Sequence, residues 1–248
     1  MIPENSFLRK IPWAIKTSDR MELEAIAFAI DAIYLRHRRI LDWATKCEPE
    51  SFSNTPHNER LELFLDIWSI VDQVYVLRQL LGKLSHLPSV AEFISFAEVA
   101  GHTRNGMDHL PQNISNIAPK KKPMPVYGAF SFGRFYWDSS GINIENCEIY
   151  TITAGSLTHR LHKWPVPNPA MSGRVLEIPV GMFEFSSFDR TLDISSLVRS
   201  LKAIINISDK NIERIIRDFA AKEGSDVEAL IADYADSITT VMQGRIGS

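Results

Sequence analysis

The sequence is poor in several features that would point to a particular class of protein. It has only two cysteines, Cys47 and Cys147, in 248 residues. That is too few, and they lie too far apart, for a disulfide framework or a cysteine-based zinc site. No apolar run approaches the roughly 18 residues that a membrane span needs. The N-terminus, MIPENSFLRKIPWAIK, lacks the continuous apolar segment of a secretory signal. We therefore expect a soluble, cytoplasmic protein that does not bind a membrane.

A large excess of charge of one sign is also lacking. The formal net charge is -3, which argues against nucleic-acid binding through overall positive charge but leaves room for a local basic groove. The chain contains neither a glycine-rich phosphate loop nor a nucleophile elbow. His159 and His162 lie three residues apart without a third metal ligand in the local sequence. The sequence therefore predicts no metal site and no cofactor.

The first half of the chain has the periodicity of long helices. Apolar residues recur at threes and fours over residues 19–46 and again over residues 58–84, and a third helix begins near Ser89. Ser18 or Asp19 is the expected cap of the first helix. The apolar face of the second helix is broad enough to be buried on more than one side. We therefore expect a homodimer.

The period changes from about 3.6 to 2 after a proline-flanked lysine run, APKKKPMP, at residues 118–125. Residues 126–137, 147–155 and 174–185 read as strands of a small antiparallel sheet. Pro179 indicates that the third strand is an edge strand or a bulged one.

The chain returns to helix after these strands. Helices are expected to begin at Ser195 or Ser196 and again at Ser208, the second of them closing at Gly224. A capping-box pattern at Ser225 and Glu228 predicts a last helix through about residue 242.

These elements predict an α+β fold: an N-terminal helical bundle, a small antiparallel β-sheet and C-terminal helices. The expected division is residues 1–118 for the helical part and residues 119–248 for the sheet with its helices; the alternative is that the two parts pack as one unit.

The candidate functional site lies in residues 101–110, GHTRNGMDHL. With sixteen arginines and seven histidines, an Arg-x4-His pair arises by chance roughly 0.5 times per chain. Requiring Asn, Asp or His beside the arginine lowers this to about 0.06. Gly101 precedes the motif and Pro111 follows it, so the sequence places it at a break between helices.

Two long amphipathic helices followed by Arg104, Asn105 and His109 at a helix end resemble the HEPN superfamily of small helical domains. The resemblance covers roughly residues 19–115. It implies a HEPN-like bundle for the first part of the chain. Many HEPN proteins are metal-independent endoribonucleases that dimerise so that two such motifs face one cleft, and others keep the fold without the activity. RNA is therefore an expected partner.

The residue types suit that chemistry. Histidine titrates near neutral pH, so His109 can move protons. Arginine stays charged and grips phosphate through two N–H groups, so Arg104 can hold phosphate. Asn105 can orient either group. Positions five apart do not share a helix face, so Arg104 and His109 converge only if Gly106 makes the turn irregular.

Weaker candidates surround the motif. His102 can join a phosphate site, and Lys120, Lys121 and Lys122 can steer RNA toward it, although capping and solvated roles are common for such residues. Asp72 is the acid of the second helix most suited to orient Arg104; alternatively it bonds Arg78 or lies exposed.

In the structural alternative, Arg104 pairs with an acid such as Glu98 or Asp108, and His109 closes the helix end. The protein is then a non-catalytic binding or scaffold protein. The enzyme requires Arg104 and His109 to be exposed in one cleft.

Overall fold

A computed structural model describes residues 1–47, 54–84, 86–119, 125, 127–138, 141–155, 176–177 and 181–236. The helices in this part of the chain are α1 (Thr17–Lys46), α2 (His57–Leu81), α3 (Pro88–Asp108), α4 (Leu110–Ile117), α5 (Ile194–Glu223) and α6 (Val227–Ala232). The strands are β1 (Lys10–Pro12), β2 (Ala129–Asp138), β3 (Gly141–Thr153), β4 (Leu176–Glu177), β5 (Gly181–Ser187), β6 (Arg190–Asp193) and β7 (Tyr234–Asp236). The predicted α+β class is confirmed. No helix within the described residues is long and apolar enough to cross a membrane.

The main sheet is antiparallel, with strand order β3-β2-β5-β6 and β4 paired to β2. Asp138 pairs with Gly141, so β2 and β3, which contain the first two predicted strands, form a hairpin. The predicted third strand consists of β4 and β5. Of the two alternatives predicted for this strand, the edge position is wrong, because β5 lies between β2 and β6. The bulged alternative agrees with the register shift in the pairing of β5 with β2, between Ser131 and Gly133. Pro179 lies outside the described residues.

One continuous cluster of buried side chains joins the first helices to the sheet and to α5. The inner face of the sheet contributes Phe130, Phe132, Phe183 and Phe185, each at most 1% exposed. Aromatic edge-to-face contacts join this face to the helices: the ring centroids of Trp43 and Phe132 lie 5.9 Å apart, and those of Trp68 and Phe185 lie 5.2 Å apart. The buried side chains before and after residue 118 therefore belong to a single core.

A buried arginine of the sheet closes the C-terminal end of α1. Arg134, on β2, is 3% exposed, and its Nη2 group donates to the carbonyl oxygens of Ala44 at 3.2 Å, Thr45 at 3.3 Å and Cys47. The last carbonyls of a helix have no partner within it and carry partial negative charge. The guanidinium supplies both the missing donors and the opposite charge.

Several predicted helix ends differ from the observed ones. The N-caps of α1 and α3 are Lys16 and Leu87, and neither side chain makes a capping bond. Ser18, Asp19 and Ser89 therefore lie inside their helices. The cap of α5 is Asp193, whose carboxylate accepts from the Ser196 N–H.

The predicted division of the C-terminal helices is also wrong. α5 runs without interruption through Ser208, which is buried, and ends at Gly224 with a φ of 65°. α6 is capped by Asp226 rather than by Ser225, and it ends at Ala232. The following strand, β7, pairs antiparallel with β1. Residues 237–242 of the predicted helix lie outside the described part of the chain.

Replacing Arg134 by methionine keeps most of the side-chain volume but removes the donors for the α1 carbonyls. We expect the free energy of unfolding in urea to fall by about 2–3 kcal/mol, because hydrogen bonds to a charged group are lost and buried acceptors are left unpaired. Arg217→Met is the matched control. Arg217 lies exposed on α5 beside Glu213, so its loss should cost less than about 0.5 kcal/mol. Equal losses in the two variants would contradict the role given to Arg134.

Candidate functional site

Arg104 and Asn105 lie near the end of α3, and His109 lies between α3 and α4, so the predicted break falls inside the motif. α3 continues through Gly101 and Gly106 to Asp108, so the expected irregular turn at Gly106 is absent from the structure. The break comes at His109, whose φ of -107° and ψ of 31° separate α3 from α4. Pro111 does not stop the chain from being helical, because it occupies the first turn of α4, where a missing N–H costs little. The Asn113 side chain donates to the Gly106 carbonyl at 2.7 Å and closes the end of α3.

Arg104 is held against α2. Its Nε lies 3.2 Å from Oδ1 of Asp72 and 4.0 Å from Oδ2 of Asp108, and its guanidinium carbon lies 4.5 Å from the centre of the Tyr75 ring. Asp72 therefore pairs with Arg104, as one alternative predicted, and it is also 57% exposed, as another predicted. Asp108 lies at the limit of ion-pairing distance from Arg104. The Arg104 side chain is still 37% exposed. Its Nη1 and Nη2 groups donate to no other group in the described part of the chain.

The charges around Arg104 are unbalanced. Two carboxylates, Asp72 and Asp108, surround one guanidinium. Burial raises the pKa of Asp72; Arg104 opposes this shift, and the like charge of Asp108 adds to it. The raised pKa means that burial of Asp72 and repulsion from Asp108 together outweigh the stabilisation that Arg104 gives to the Asp72 carboxylate. An incoming phosphate would meet Arg104 together with two nearby negative charges.

Asn105 and His109 lie on a different side of α3 from Arg104. Both are exposed, and the His109 N–H donates to the Asn105 carbonyl at 3.1 Å, which places them one turn apart on the same side of α3. Positions five apart on a helix are rotated by about 140°. The structure therefore brings His109 together with Asn105, and Arg104 together with Asp72, but does not bring the arginine and the histidine into one cleft of a single chain.

The weaker candidates do not extend the site in the described residues. His102 is exposed, with Nε2 3.9 Å from the Glu98 carboxylate, so the acid suggested for Arg104 lies beside the histidine instead. Lys120, Lys121 and Lys122 lie outside the described residues, as do His159 and His162. A group of three or more histidine, cysteine, aspartate or glutamate side chains that could hold a metal is absent from the part of the chain that the structure describes.

Gly106 allows the sheet to touch the motif. A Cβ atom at this position would lie 2.3 Å from Cδ2 and 2.6 Å from Cγ of Phe188. Phe188 and Asp189 form the two-residue turn between β5 and β6, with φ values of 50° and 61°. Such a turn favours asparagine and glycine, so the backbone is strained here. Packing against Phe188, and not irregularity of the helix, is what requires glycine at position 106.

Two further features of the site were missed in the sequence. Tyr75 supports the Arg104 guanidinium from one turn beyond Asp72 on α2, a spacing that could have revealed it. A cavity of about 630 Å³ opens beside Met107, between α2 and the ends of β2 and β3. Its walls are mainly apolar and aromatic, with two basic side chains at the start of α2. The lining includes His57, Arg60, Leu61, Phe64, Leu65, Trp68 and Tyr127.

Comparison of the chain with protein-family models, with functionally curated proteins and with solved structures found no match. The resemblance to HEPN domains therefore stays a prediction that rests on the residues of the motif and on the helices that carry it.

The contact between Gly106 and Phe188 predicts an unusual response to alanine. Glycine to alanine normally stabilises a helix interior by about 1 kcal/mol. We expect Gly106→Ala to destabilise the protein by about 1–2 kcal/mol in urea unfolding, because overpacking against the ring outweighs the gain in helix propensity. Gly82→Ala is the control, since its φ is -55° and a Cβ atom there would meet nothing within 4 Å.

Combining Gly106→Ala with Phe188→Gly should remove the penalty, because the ring is gone and glycine tolerates the positive φ at position 188. If Gly106→Ala stabilised the protein as much as Gly82→Ala, the proposed contact would be wrong.

Proposed function

We propose that this protein is a HEPN-like, metal-independent endoribonuclease whose site consists of Arg104, Asn105 and His109. One observation carries the proposal. Asp72 and Tyr75 contact the Arg104 guanidinium at its Nε atom and on one face, while the side chain stays 37% exposed and its two Nη groups donate to no group in the described residues. A guanidinium held in this way keeps its bidentate edge available for two phosphate oxygens. The acid beside Arg104 then acts as a positioning group.

The reaction requires three functions at one phosphate. A base removes the proton of the ribose 2′-hydroxyl, whose oxygen attacks the phosphorus. An acid protonates the departing 5′-oxygen, and a 2′,3′-cyclic phosphate remains. A cation stabilises the charge on the phosphate oxygens. Arg104 supplies the cation and His109 the proton transfers, while Asn105 orients the histidine from one helical turn away.

The site is completed by a second copy. Arg104 and His109 project to different sides of α3, so one chain does not present both to the same phosphate. In a two-fold pair, Arg104 of one copy can meet His109 of the other, and the two copies together form two equivalent sites. RNA is the substrate, and a homodimer is the active form.

The second candidate is a non-catalytic HEPN-like binding or scaffold protein. The carboxylates of Asp72 and Asp108 and the partial negative charge at the C-terminus of α3 favour it, because they oppose a polyanion at this position. The cavity beside Met107 favours it as well, because its apolar and aromatic walls suit a ligand or partner rather than a phosphate backbone.

The test is cleavage of single-stranded RNA in the presence of EDTA. We expect the wild type to cut and to leave 2′,3′-cyclic phosphate ends. His109→Ala and Arg104→Ala should each reduce the rate by about 10²–10⁴-fold, the usual contribution of a general acid or base. His86→Ala and Arg217→Ala are controls, because both side chains are exposed outside the motif. Wild type that leaves diverse RNAs intact, or motif variants that cut as fast as the controls, would favour the binding protein.

A mixing experiment tests the shared site. Arg104→Ala and His109→Ala chains, each inactive alone, should regain activity when they are combined and allowed to exchange. Half of the random pairs are mixed, and each mixed pair has one intact site of two, so about a quarter of the wild-type rate is expected. If the mixture stayed inactive while the wild type cut RNA, Arg104 and His109 would have to act within one chain.

A further inference from the structure

The outer face of α1 carries an apolar stripe that the described part of the chain leaves uncovered. Met21, Phe28 and Leu35 are 62%, 58% and 52% exposed. Ala25 and Ala32 lie between them and are half-buried. Large side chains at such exposure are common singly, but a continuous row on one helix marks an interaction surface.

The spacing of the stripe is that of a helix-pairing seam. Its members follow one another at steps of four, three, four and three residues, so they stay on one side of the helix over four turns. The stripe is about 21 Å long at 1.5 Å per residue. Large and small residues alternate along it, so a second copy running in the opposite direction can place Leu35 on Ala25 and Phe28 on Ala32.

The charges beside the stripe select this antiparallel direction. Glu24 precedes Ala25 by one position, and Arg38 follows Leu35 by one turn, so both lie on the same flank. When Ala25 faces Leu35 of the second copy, Glu24 of each copy meets Arg38 of the other. Opposite charges at these flanking positions set the partner and the orientation of paired helices.

Glu24 and Arg38 are also the flanking charges that remain free for such a contact. Within the described residues, Glu24 has one loose neighbour, Arg20 at 3.9 Å, and Arg38 is exposed and forms no ion pair there.

The other flanking charges are already engaged within the chain. Glu22 bonds Lys83 at 2.6 Å, Arg36 bonds Asp66 at 2.9 Å, and Asp31, which would lie near the two-fold axis, is held by both Nη groups of Arg9. Pairing of the two helices therefore leaves their neutralising contacts in place.

We propose that α1 is a homodimer interface in which the stripe from Met21 to Leu35 pairs antiparallel with the same stripe of a second copy, with Glu24 of each chain bonded to Arg38 of the other. The interface is argued from α1 alone and does not depend on ribonuclease activity. Where the protein is a ribonuclease, this same two-fold pair must supply the shared site.

The first test is mass in solution, measured by light scattering during gel filtration at micromolar concentrations. The wild type should have twice the 28.1 kDa mass of the chain, and Phe28→Glu should have the mass of one chain. Phe219→Glu is the matched control, because Phe219 is an exposed phenylalanine on α5, and it should remain dimeric. A monomeric wild type, or equal behaviour of the two glutamate variants, would overturn the proposal.

The second test uses the charges and does not depend on a destabilised fold. Glu24→Arg and Arg38→Glu should each weaken self-association at least tenfold, because each places two like-charged pairs in the antiparallel dimer. A mixture of the two variants should form a heterodimer, since every flanking pair is then opposite in charge. Failure of the mixture to associate, while the wild type dimerises, would overturn the antiparallel arrangement.

Discussion

The contact between Arg134 and the end of α1 is the interaction on which the joining of helices and sheet depends. Apolar packing between the phenylalanine face of the sheet and the helices supplies most of the driving force, but it is non-directional. Hydrogen bonds to the three carbonyls at the end of α1 are directional, and leaving these acceptors buried without donors would cost free energy. A single guanidinium meets that demand only where β2 crosses the end of α1. Arg134 therefore fixes where the sheet lies along the helix, and the aromatic contacts of Trp43 and Trp68 follow from that position.

The position of the sheet in turn determines what contacts the motif. β5 and β6 extend the sheet from β2, and their turn places Phe188 on Gly106, between the proposed phosphate-binding and proton-transfer residues. The HEPN resemblance covers only the helical part of the chain, yet the geometry of its motif depends on a residue from the second part. A change in the strained turn at Phe188 would reach Arg104 and His109 through two or three residues of α3.

Local patterns predicted most of the elements and little of what connects them. Periods of 3.6 and 2 in the apolar residues predict α1, α2, α3 and the strands β2 and β3. Burial of one face of a helix or strand places apolar residues at regular spacings within a short stretch of sequence, so it can be detected locally. Serine favours helix caps, which predicts a helix start at Ser208. The apolar period continues through this residue, however, and its burial against the core keeps α5 continuous. The Asp72–Arg104 pair could be named because two helices in sequence pack together. The contacts of Arg134 and of Phe188 could not, because they join segments about 80 to 90 residues apart, and the order of the strands decides them.

The same geometry bears on both proposed functions. An arginine that pairs with a carboxylate is often assigned a purely structural role. The contact from Nε to Asp72, however, uses one of the five N–H donors of Arg104 and fixes the plane of the other four. Within one chain, catalysis is opposed by the different orientations of the two residues, since Arg104 lies against α2 while His109 is exposed to solvent. A second copy can bring its own His109 to Arg104, but it does not remove the negative charges of Asp72 and Asp108. The raised pKa of Asp72 indicates that burial and repulsion from Asp108 together outweigh the attraction of Arg104. Protonation of this carboxylate would remove one of the two negative charges that a phosphate meets at Arg104. Phosphate binding and a further rise in the pKa of Asp72 should therefore be linked.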